Sequence, residues 1–566
     1  MPIDFFLEIF YKGNSYIFEL STINHITTMA IKISIIGGGS LGFTRRLMQD
    51  ILSVPELADT HFSLTDISEK NLEMVAKLCQ RDIDANGLTA TIETTTNRRE
   101  SLKDADYVLC TIRHGGLEAF AKDVDVPLRY GVDQCVGDTL CAGGLMYAQR
   151  TIPVLLDFCR DIREVSKPGA LFLNYVNPMA MNTWACNKYG GVRTIGLCHG
   201  VQGGHHQITA AIELYLKSTG RLPKDYVTPG REGHRGPEEG LPKGIRLGMH
   251  PSEVDIVCAG INHQTWYTEV RYKGEDMLDV LREWMPKVPH FVKTEKVRLD
   301  VLARFGYYST ESNGHLSEYL PWYRKRPEEI EKWIDTSVWI HGETGGYLRI
   351  CKEGRDWFKT DYPQMLKAEP PKIGKENRSE EHASYIIESL ETGRSYRGHF
   401  NIMNQGHITN LPDGCCIEIP GYVDGNGISM PVVGDLPMAC AATCSASVRV
   451  QEMGMEAAVR GDVTLLKQAM LHDPLTGAVC SPEEVWQMTD ELLVEQAEWL
   501  PNYAEEIPSA RKRLKAHTRK GTRVATQKGN QGAVRIKTRS SKEMSRNKAE
   551  ARKMAMASDK GNMTRD

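Results

Sequence analysis

Ile31-Lys32-Ile33-Ser34-Ile35-Ile36-Gly37-Gly38-Gly39-Ser40-Leu41-Gly42 carries an apolar run of strand character straight into a glycine-rich turn. Glycines at 37, 39 and 42 give the spacing G-x-G-x-x-G. They allow a tight turn, let backbone N–H groups approach a pyrophosphate, and permit close packing of a following helix whose positive end faces the phosphates. That spacing alone is weak evidence, and its setting strengthens it. A second apolar run ends in Leu64-Thr65-Asp66-Ile67, so Asp66 lies 24 residues beyond Gly42, close to the spacing of a ribose-binding carboxylate. An acidic side chain there repels a 2′-phosphate, so NAD is expected over NADP. The cofactor-binding candidates are Gly37, Gly38, Gly39, Ser40, Gly42 and Asp66. The plainer alternative is a structural glycine turn beside a surface aspartate.

Outward from this turn, short apolar runs alternate with amphipathic stretches as far as about Gly200. The runs are Lys32–Ile36, Phe62–Leu64, Tyr107–Ile112, Leu171–Val176 and Thr194–Leu197. Such alternation predicts βαβ units and a parallel sheet. Pro153–Val165 is predicted as a helix, with proline in its first turn, an apolar face at Leu155, Leu156, Cys159 and Ile162, and a stop at Lys167-Pro168-Gly169. Arg221–Gly248 is rich in Gly, Pro and charge and reads as a long surface insertion. Glu253 to Gly260 reads as a further strand, and Gln451 to Ala504 as largely helical. No internal repeat is present. The fold class is α/β: an N-terminal Rossmann-type parallel sheet followed by a mixed α/β, helix-rich substrate domain. The divisions expected are a peripheral N-terminal extension (1–28, with Met29 as an alternative start), an NAD-binding domain (29–200), a catalytic and substrate domain (201–510), and a basic, disordered tail (511–566).

The 566 residues suffice for two or three domains, and 41% hydrophobic with 25% charged residues is ordinary for a globular protein. No apolar run is long enough to cross a bilayer, and the first 28 residues lack the parts of a signal peptide. The 14 cysteines are scattered without a C-x-x-C, so they read as reduced thiols of a cytoplasmic protein. The net charge of −4 conceals a split: residues 511–566 hold 18 Lys and Arg against 4 Asp and Glu, which leaves the remainder acidic. An acidic body argues against nucleic acid as substrate. A nucleotide-sensing regulator whose basic tail engages nucleic acid is one rival reading.

Cys198 ends the run Thr194-Ile195-Gly196-Leu197, which puts it at the carboxyl end of a strand, where open α/β sheets place ligands. Asn262-His263 follows the run Val254–Ala259 in the same way. A thiolate and an imidazole suit a borderline divalent metal with positions left for substrate oxygens. Taken singly, each has a bland alternative, a core cysteine or a hydrogen-bonded histidine. Two further segments are dense in chemistry. Gly137-Asp138-Thr139 precedes Gly143-Gly144, a glycine-dense loop with one carboxylate. Glu311-Ser312-Asn313-Gly314-His315-Leu316-Ser317-Glu318-Tyr319 sets four titratable side chains in nine positions. A hydrogen-bonded surface turn is the default reading of that second segment.

In chain order, Ile36-Gly37-Gly38-Gly39-Ser40, Ile112-Arg113-His114-Gly115-Gly116, Gly137-Asp138-Thr139, Asn174-Tyr175-Val176-Asn177-Pro178, Cys198-His199-Gly200-Val201 and Gly260-Ile261-Asn262-His263 resemble glycoside hydrolase family four, the NAD- and metal-dependent glycosidases. The resemblance covers about Ile31 to Ala504. It implies that Cys198 and His263 bind a divalent ion, typically manganese, and that Asn177 contacts the sugar. A Cys-His pair at 198–199 is similar to the branch acting on unphosphorylated α-glycosides. Branches acting on 6-phospho-sugars tend to carry Cys-Asp or Cys-Asn, with an arginine where this chain has Phe120. His315-Leu316-Ser317-Glu318-Tyr319 with Pro321-Trp322 looks most like the α-galactosidase branch. His199 stands where relatives carry an acid aspartate, which leaves His199 or Asp138 as acid. His315 stands where many carry the base tyrosine, which leaves His315 or Tyr319 as base.

The cycle so implied oxidises sugar C3 with NAD⁺, removes the C2 proton, expels the aglycone, adds water and returns the hydride. The partner implied is a small-molecule α-glycoside, with no nucleic acid and no membrane, and the assembly a homodimer or homotetramer. The sugar epimer stays open between galactose, glucose and galacturonic acid. A plain NAD-dependent hydroxy-acid dehydrogenase, sharing the first domain, is the rival from another reaction class.

Overall fold

A computed structural model describes residues 30–229, 247–354 and 357–516. The expectations for the extension 1–28, for 230–246 of the insertion and for 517–566 of the tail lie outside the described residues. The apolar runs of the first half form parallel strands β1 (Lys32–Ile36), β2 (His61–Thr65), β3 (Thr91–Thr95), β4 (Tyr107–Cys110), β5 (Leu171–Asn174) and β6 (Thr194–Gly196). They lie in the order β3-β2-β1-β4-β5-β6, the order of dinucleotide-binding sheets, which reverses direction between β1 and β4. Ile33, Ile35, Val108, Leu109, Phe172 and Leu173 are fully buried, because helices cover both faces of a parallel sheet. β3, Thr-Ile-Glu-Thr-Thr, escaped the apolar pattern because it is a polar, half-exposed edge strand.

The sheet continues through the second half as β7 (Val254–Ile261), β8 (Gln264–Tyr272), β9 (Glu275–Asp276), β10 (Tyr308–Ser309), β11 (Tyr396–Met403), β12 (Cys416–Asp424) and β13 (Gly427–Ser429). Antiparallel pairs extend it from β6 through β11, β12, β7 and β8 to β10, so both halves share one sheet of 13 strands among the described residues. The join beside β6 matters for function. It sets the carboxyl end of β6, which leads to Cys198, in line with the β7–β8 turn that carries Asn262-His263.

One helix differs from expectation. It runs from Cys141 to Val165 and carries Pro153 inside it, where the sequence predicted a start at Pro153. Gly143 and Gly144, read as a loop, lie in its first turn. A Cβ on Gly144 would fall 2.4 Å from the backbone of Thr139, and one on Gly143 2.7 Å from the carbonyl of Gly137. These glycines therefore admit the Gly137–Thr139 segment against the helix. Helices Met438–Arg460, Val463–His472, Pro474–Val479 and Pro482–Glu495 match the helical C-terminal reading. The largest apolar core joins Leu145 and Met181 to Ile261, Leu316 and Val448, so first-half and second-half elements support one site. Among the described residues no helix is long and apolar enough to cross a membrane, and all 14 cysteines are free.

Candidate active site

The glycine turn sits at the reversal point of the sheet, at the carboxyl ends of β1 and β4. Gly37 has φ +88°, and a Cβ there would lie 2.9 Å from the backbone of Thr111, so the position demands glycine. Its N–H and that of Gly38 donate to the Thr65 carbonyl at 2.9 and 3.0 Å. The Gly39 N–H donates to Asp66 Oδ2 at 3.1 Å, and a Cβ on Gly39 would fall 2.9 Å from that oxygen. The close packing expected of Gly42 falls instead to Gly38 against Leu64, since no atom lies within 4 Å of a Cβ on Gly42. Asp66 also accepts from the Ser68 N–H at 3.0 Å, which leaves part of its four-site capacity for ribose hydroxyls. Ser40 and Phe43, the latter opening helix Phe43–Leu52, line a cleft of about 750 Å³. The backbone cradle, its bracing carboxylate and the helix start fit a dinucleotide.

Farther along the same cleft, Cys198, His263 and Glu311 converge, each offering a ligand atom within 4.8 Å of the others. The Cys198 Sγ and the His263 Nε2 are each 4.0 Å from Glu311 Oε1. Helix Gly200–Ser218 starts directly after Cys198-His199. A Cβ on Gly200 would land 1.9 Å from Glu311 Oε1, so only glycine admits this carboxylate at the helix start. Burial, aided by His315, lowers His263 to about 3 and keeps its imidazole neutral, the form that ligates metals. Burial, with Glu418 beside it, raises Glu311 to about 8, and burial with Glu311 pushes the Cys198 thiol well up. A thiolate, a neutral imidazole and a carboxylate suit manganese or another borderline ion, and a dication would draw the protons off. The Thr139 hydroxyl fixes the ring of His263 through Nδ1 at 2.8 Å, as outer partners of metal histidines do.

Asp138 is the hub of the adjoining wall. It accepts from Arg113 Nη2 at 3.4 Å, from Asn177 Nδ2 at 3.2 Å and from the Thr139 hydroxyl at 3.1 Å. Burial alone would raise its pKa, yet Arg113, then His315 and His263, hold it below the usual carboxylate value. Arg113 lies over the rings of Phe120, Tyr147 and Tyr347 at 4.4, 5.0 and 5.5 Å. Its Nη1 is buried without a hydrogen-bond partner among the described residues.

The remaining sequence candidates separate. His315 lines the cleft, with its ring centroid 5.1 Å from that of His263 and Nδ1 3.3 Å from Glu311. Tyr319 is 1% exposed, beneath both histidines at ring separations of 6.4 and 6.0 Å. His199 lies on the dinucleotide side, stacked on Tyr175 at 6.2 Å and edge-on to Phe43 at 6.3 Å, and its Nε2 meets both oxygens of Glu381 at 2.7 and 2.8 Å. Glu311–Tyr319 is no surface turn: Asn313–Tyr319 is a buried helix capped by Ser312. Sequence reasoning left Glu311, Arg113 and Glu318 without roles. Glu318 accepts from the N–H groups of Val136 and Gly137 and so sets the backbone just before Asp138. The only sequence signal for Glu311 and Glu318 was the density of titratable groups around them.

Comparison with known proteins places these residues in context. The family model described as Family 4 glycosyl hydrolase matches residues 32–214, and that of the Family 4 glycosyl hydrolase C-terminal domain matches 258–476. An α-galactosidase of Rhizobium meliloti is 54% identical over 529 residues, which span 93% of this chain and 99% of the relative. An α-galactosidase of Bacillus subtilis is 32% identical over 476 residues, spanning 83% and 99%. The solved 6-phospho-β-glucosidase of Thermotoga maritima, with manganese, NAD⁺ and glucose-6-phosphate, superposes with a TM-score of 0.60 at 21% identity, over 83% of this chain and 99% of that one. That last likeness is one of fold.

Proposed function

The chain belongs to glycosyl hydrolase family 4, and from that premise we propose that it hydrolyses unphosphorylated α-galactosides with the aid of NAD and a divalent ion such as Mn²⁺. The observation that carries this reading is the convergence of Cys198, His263 and Glu311 in the cleft whose other end is the dinucleotide turn. When bound, NAD⁺ would take and return hydride at sugar C3, and the dication would act as the Lewis acid that makes the C2 proton removable. The chain's residues supply position and proton transfer. Asn177 offers a donor to sugar hydroxyls. Asp138 accepts from three donors, which suits it to orienting Arg113, Asn177 and Thr139. The acid role then falls to His199, whose Nε2 is fixed on Glu381 and whose Nδ1 remains to exchange a proton. His315, on the cleft wall beside His263, takes the base role ahead of the buried Tyr319.

The charge of the cleft supports a neutral sugar. Its lysines and arginines among the described residues are Arg113 and Arg298, each paired with a carboxylate, Asp138 or Glu295. The fully buried Phe120 carries no charge. A phosphate would thus find no uncommitted guanidinium. The α-galactosidase relatives favour galactose over glucose or galacturonic acid.

A chromogenic α-galactoside, assayed with and without NAD⁺ and Mn²⁺, tests the proposal. Aglycone release that needs both additions, with no accumulation of NADH, is the expected outcome. Stoichiometric NADH without aglycone would instead identify a dehydrogenase. Asp66→Ala is expected to weaken NAD⁺ about tenfold or more by calorimetry, since the turn loses a charge-assisted brace and the ribose its acceptor.

Mn²⁺ affinity is expected to climb with pH. Glu311, raised to about 8, and the raised Cys198 thiol are protonated at pH 6 in the metal-free protein and must lose those protons to ligate. His263, already neutral, contributes no such step. Calorimetry in buffers of different ionisation enthalpy should register net proton release between pH 6 and 8. A flat affinity without release over that interval counts against Glu311 as a ligand.

A further inference from the structure

Four residues stand in one row across the middle of the sheet: Gly196 of β6, Asn401 of β11, Glu418 of β12 and Gly260 of β7. This row is where the parallel and antiparallel halves are spliced. Among the described residues β6 pairs with β11 at Gly196 and Asn401 alone, and β12 with β7 at Glu418 and Gly260 alone. Cys198 lies two residues past one end of the row, and His263 three past the other. We propose that the Asn401–Glu418 pair is a strut that fixes the separation of Cys198 and His263, which makes both of them positioning residues of the metal centre. The inference rests on the metal reading given above and reaches past its three ligands to what holds them in place.

Side-chain hydrogen bonds run the length of the row. Asn401 Nδ2 donates to the Gly196 carbonyl at 3.4 Å and to Glu418 Oε1 at 3.3 Å. Glu418 Oε2 accepts from the Thr265 hydroxyl at 2.7 Å and from Asn262 Nδ2 at 3.4 Å, two residues that bracket His263. Gln451 Nε2 holds the Asn262 carbonyl from the other direction at 3.3 Å. A Cβ on Gly196 would lie 2.8 Å from that of Asn401, so glycine lets the strut close on β6. Asn401 Oδ1 has no hydrogen-bond partner among the described residues, so the side-chain bonds of this amide all serve the row. Asn401 is 0% exposed and Glu418 2%, and neither lines the cleft, so substrate contact does not account for them. An apolar pair would fill the same row without the desolvation that a buried carboxylate and amide incur. What the polar pair adds is a tie across two joins that are each one backbone pair deep. The ligands at either end thereby keep one spacing, as partners outside a ligand set do for the ligands they orient.

Titration of the full-length protein with Co²⁺ tests the strut without substrate or NAD⁺, because a cobalt–thiolate bond has its own charge-transfer absorption. Asn401→Ala cuts the tie to β6 and leaves every charge near the metal in place. It is expected to weaken Co²⁺ about tenfold or more and to diminish the thiolate band, while NAD⁺ affinity holds within about twofold. Glu418→Gln, nearly isosteric, keeps an acceptor for Thr265 and Asn262 but turns a donor on Asn401 Nδ2, so it breaks the same link and should lose a similar factor. The double variant should lose no more than either single one, since a strut breaks once. Parental Co²⁺ affinity and absorption in Asn401→Ala overturn the proposal. Losses that add in the double variant also overturn it, because Glu418 would then act through its charge alone. An equal loss of NAD⁺ binding overturns it too, by showing general damage to the fold. A parent that binds Co²⁺ without a thiolate band sinks the metal reading itself, and this inference with it.

Discussion

Cys198→Ser is expected to lower kcat/KM for α-galactosides by at least about 10³-fold, because it removes one of the two anionic ligands from a three-residue metal set and with it the several kcal/mol a Lewis acid supplies. Serine keeps the shape of the residue but not its chemistry. Its hydroxyl stays protonated where a thiol beside a dication does not, and oxygen lacks the softness that lets sulfur hold a borderline ion. Mn²⁺ affinity should fall about 100-fold or more, since even partners outside the ligand set are worth 10–100-fold. NAD⁺ affinity should hold within about twofold: the cradle is built by Gly37, Gly38, Gly39 and Asp66 on β1 and β2, and none of their hydrogen bonds reaches residue 198. The two readouts together make the test decisive. Parental activity in this variant removes Cys198 from the ligand set. A parallel loss of NAD⁺ binding would mean that the substitution disturbs the fold, and the activity loss would no longer speak for a metal.

The glycine turn and five of the six parallel strands were legible because they are local patterns. An apolar run of strand length and a G-x-G-x-x-G spacing each lie within a dozen residues, and burial between helices demands that composition. β3 was not legible, since an edge strand of threonines has no apolar face to display. Cys198 and His263 could each be read as standing at a strand end. Their meeting could not, because it depends on β11 and β12, drawn from more than 130 residues beyond His263, bridging β6 to β7. Glu311 shows the same limit more sharply. Nothing in Glu311-Ser312 announces a ligand. Its carboxylate reaches Cys198 and His263 only because Gly200 leaves room for it, and that glycine's purpose is invisible until the two segments are in contact. Gly143 and Gly144 misled for a related reason: in sequence a glycine pair signals a loop, but here it signals two backbones in close approach.

Asp138→Asn is expected to cost about 100- to 1000-fold in kcat/KM, and to do so through Arg113 as much as through the sugar. The substitution leaves a mostly buried guanidinium, boxed by Phe120, Tyr147 and Tyr347, facing an amide in place of a carboxylate. Stranding a buried charge in this way costs about 3–5 kcal/mol. Part of that should appear as lost stability in urea unfolding and part as a displaced Arg113. The amide oxygen can still accept from both Arg113 and Asn177 in the place of Oδ2, but the amide nitrogen then stands where Oδ1 accepted from the Thr139 hydroxyl and can only donate, and Thr139 is the group that fixes the His263 ring. A second substitution separates the two costs. Replacing Arg113 by Met in the Asp138→Asn background removes the stranded charge, and should return most of the stability without returning activity, because the double variant still lacks the carboxylate that orients Asn177 and Thr139. Recovery of activity along with stability would reduce Asp138 to a structural partner of Arg113. Stability unchanged in the single variant, with activity lost, would instead place Asp138 in direct contact with the sugar and leave the ion pair incidental.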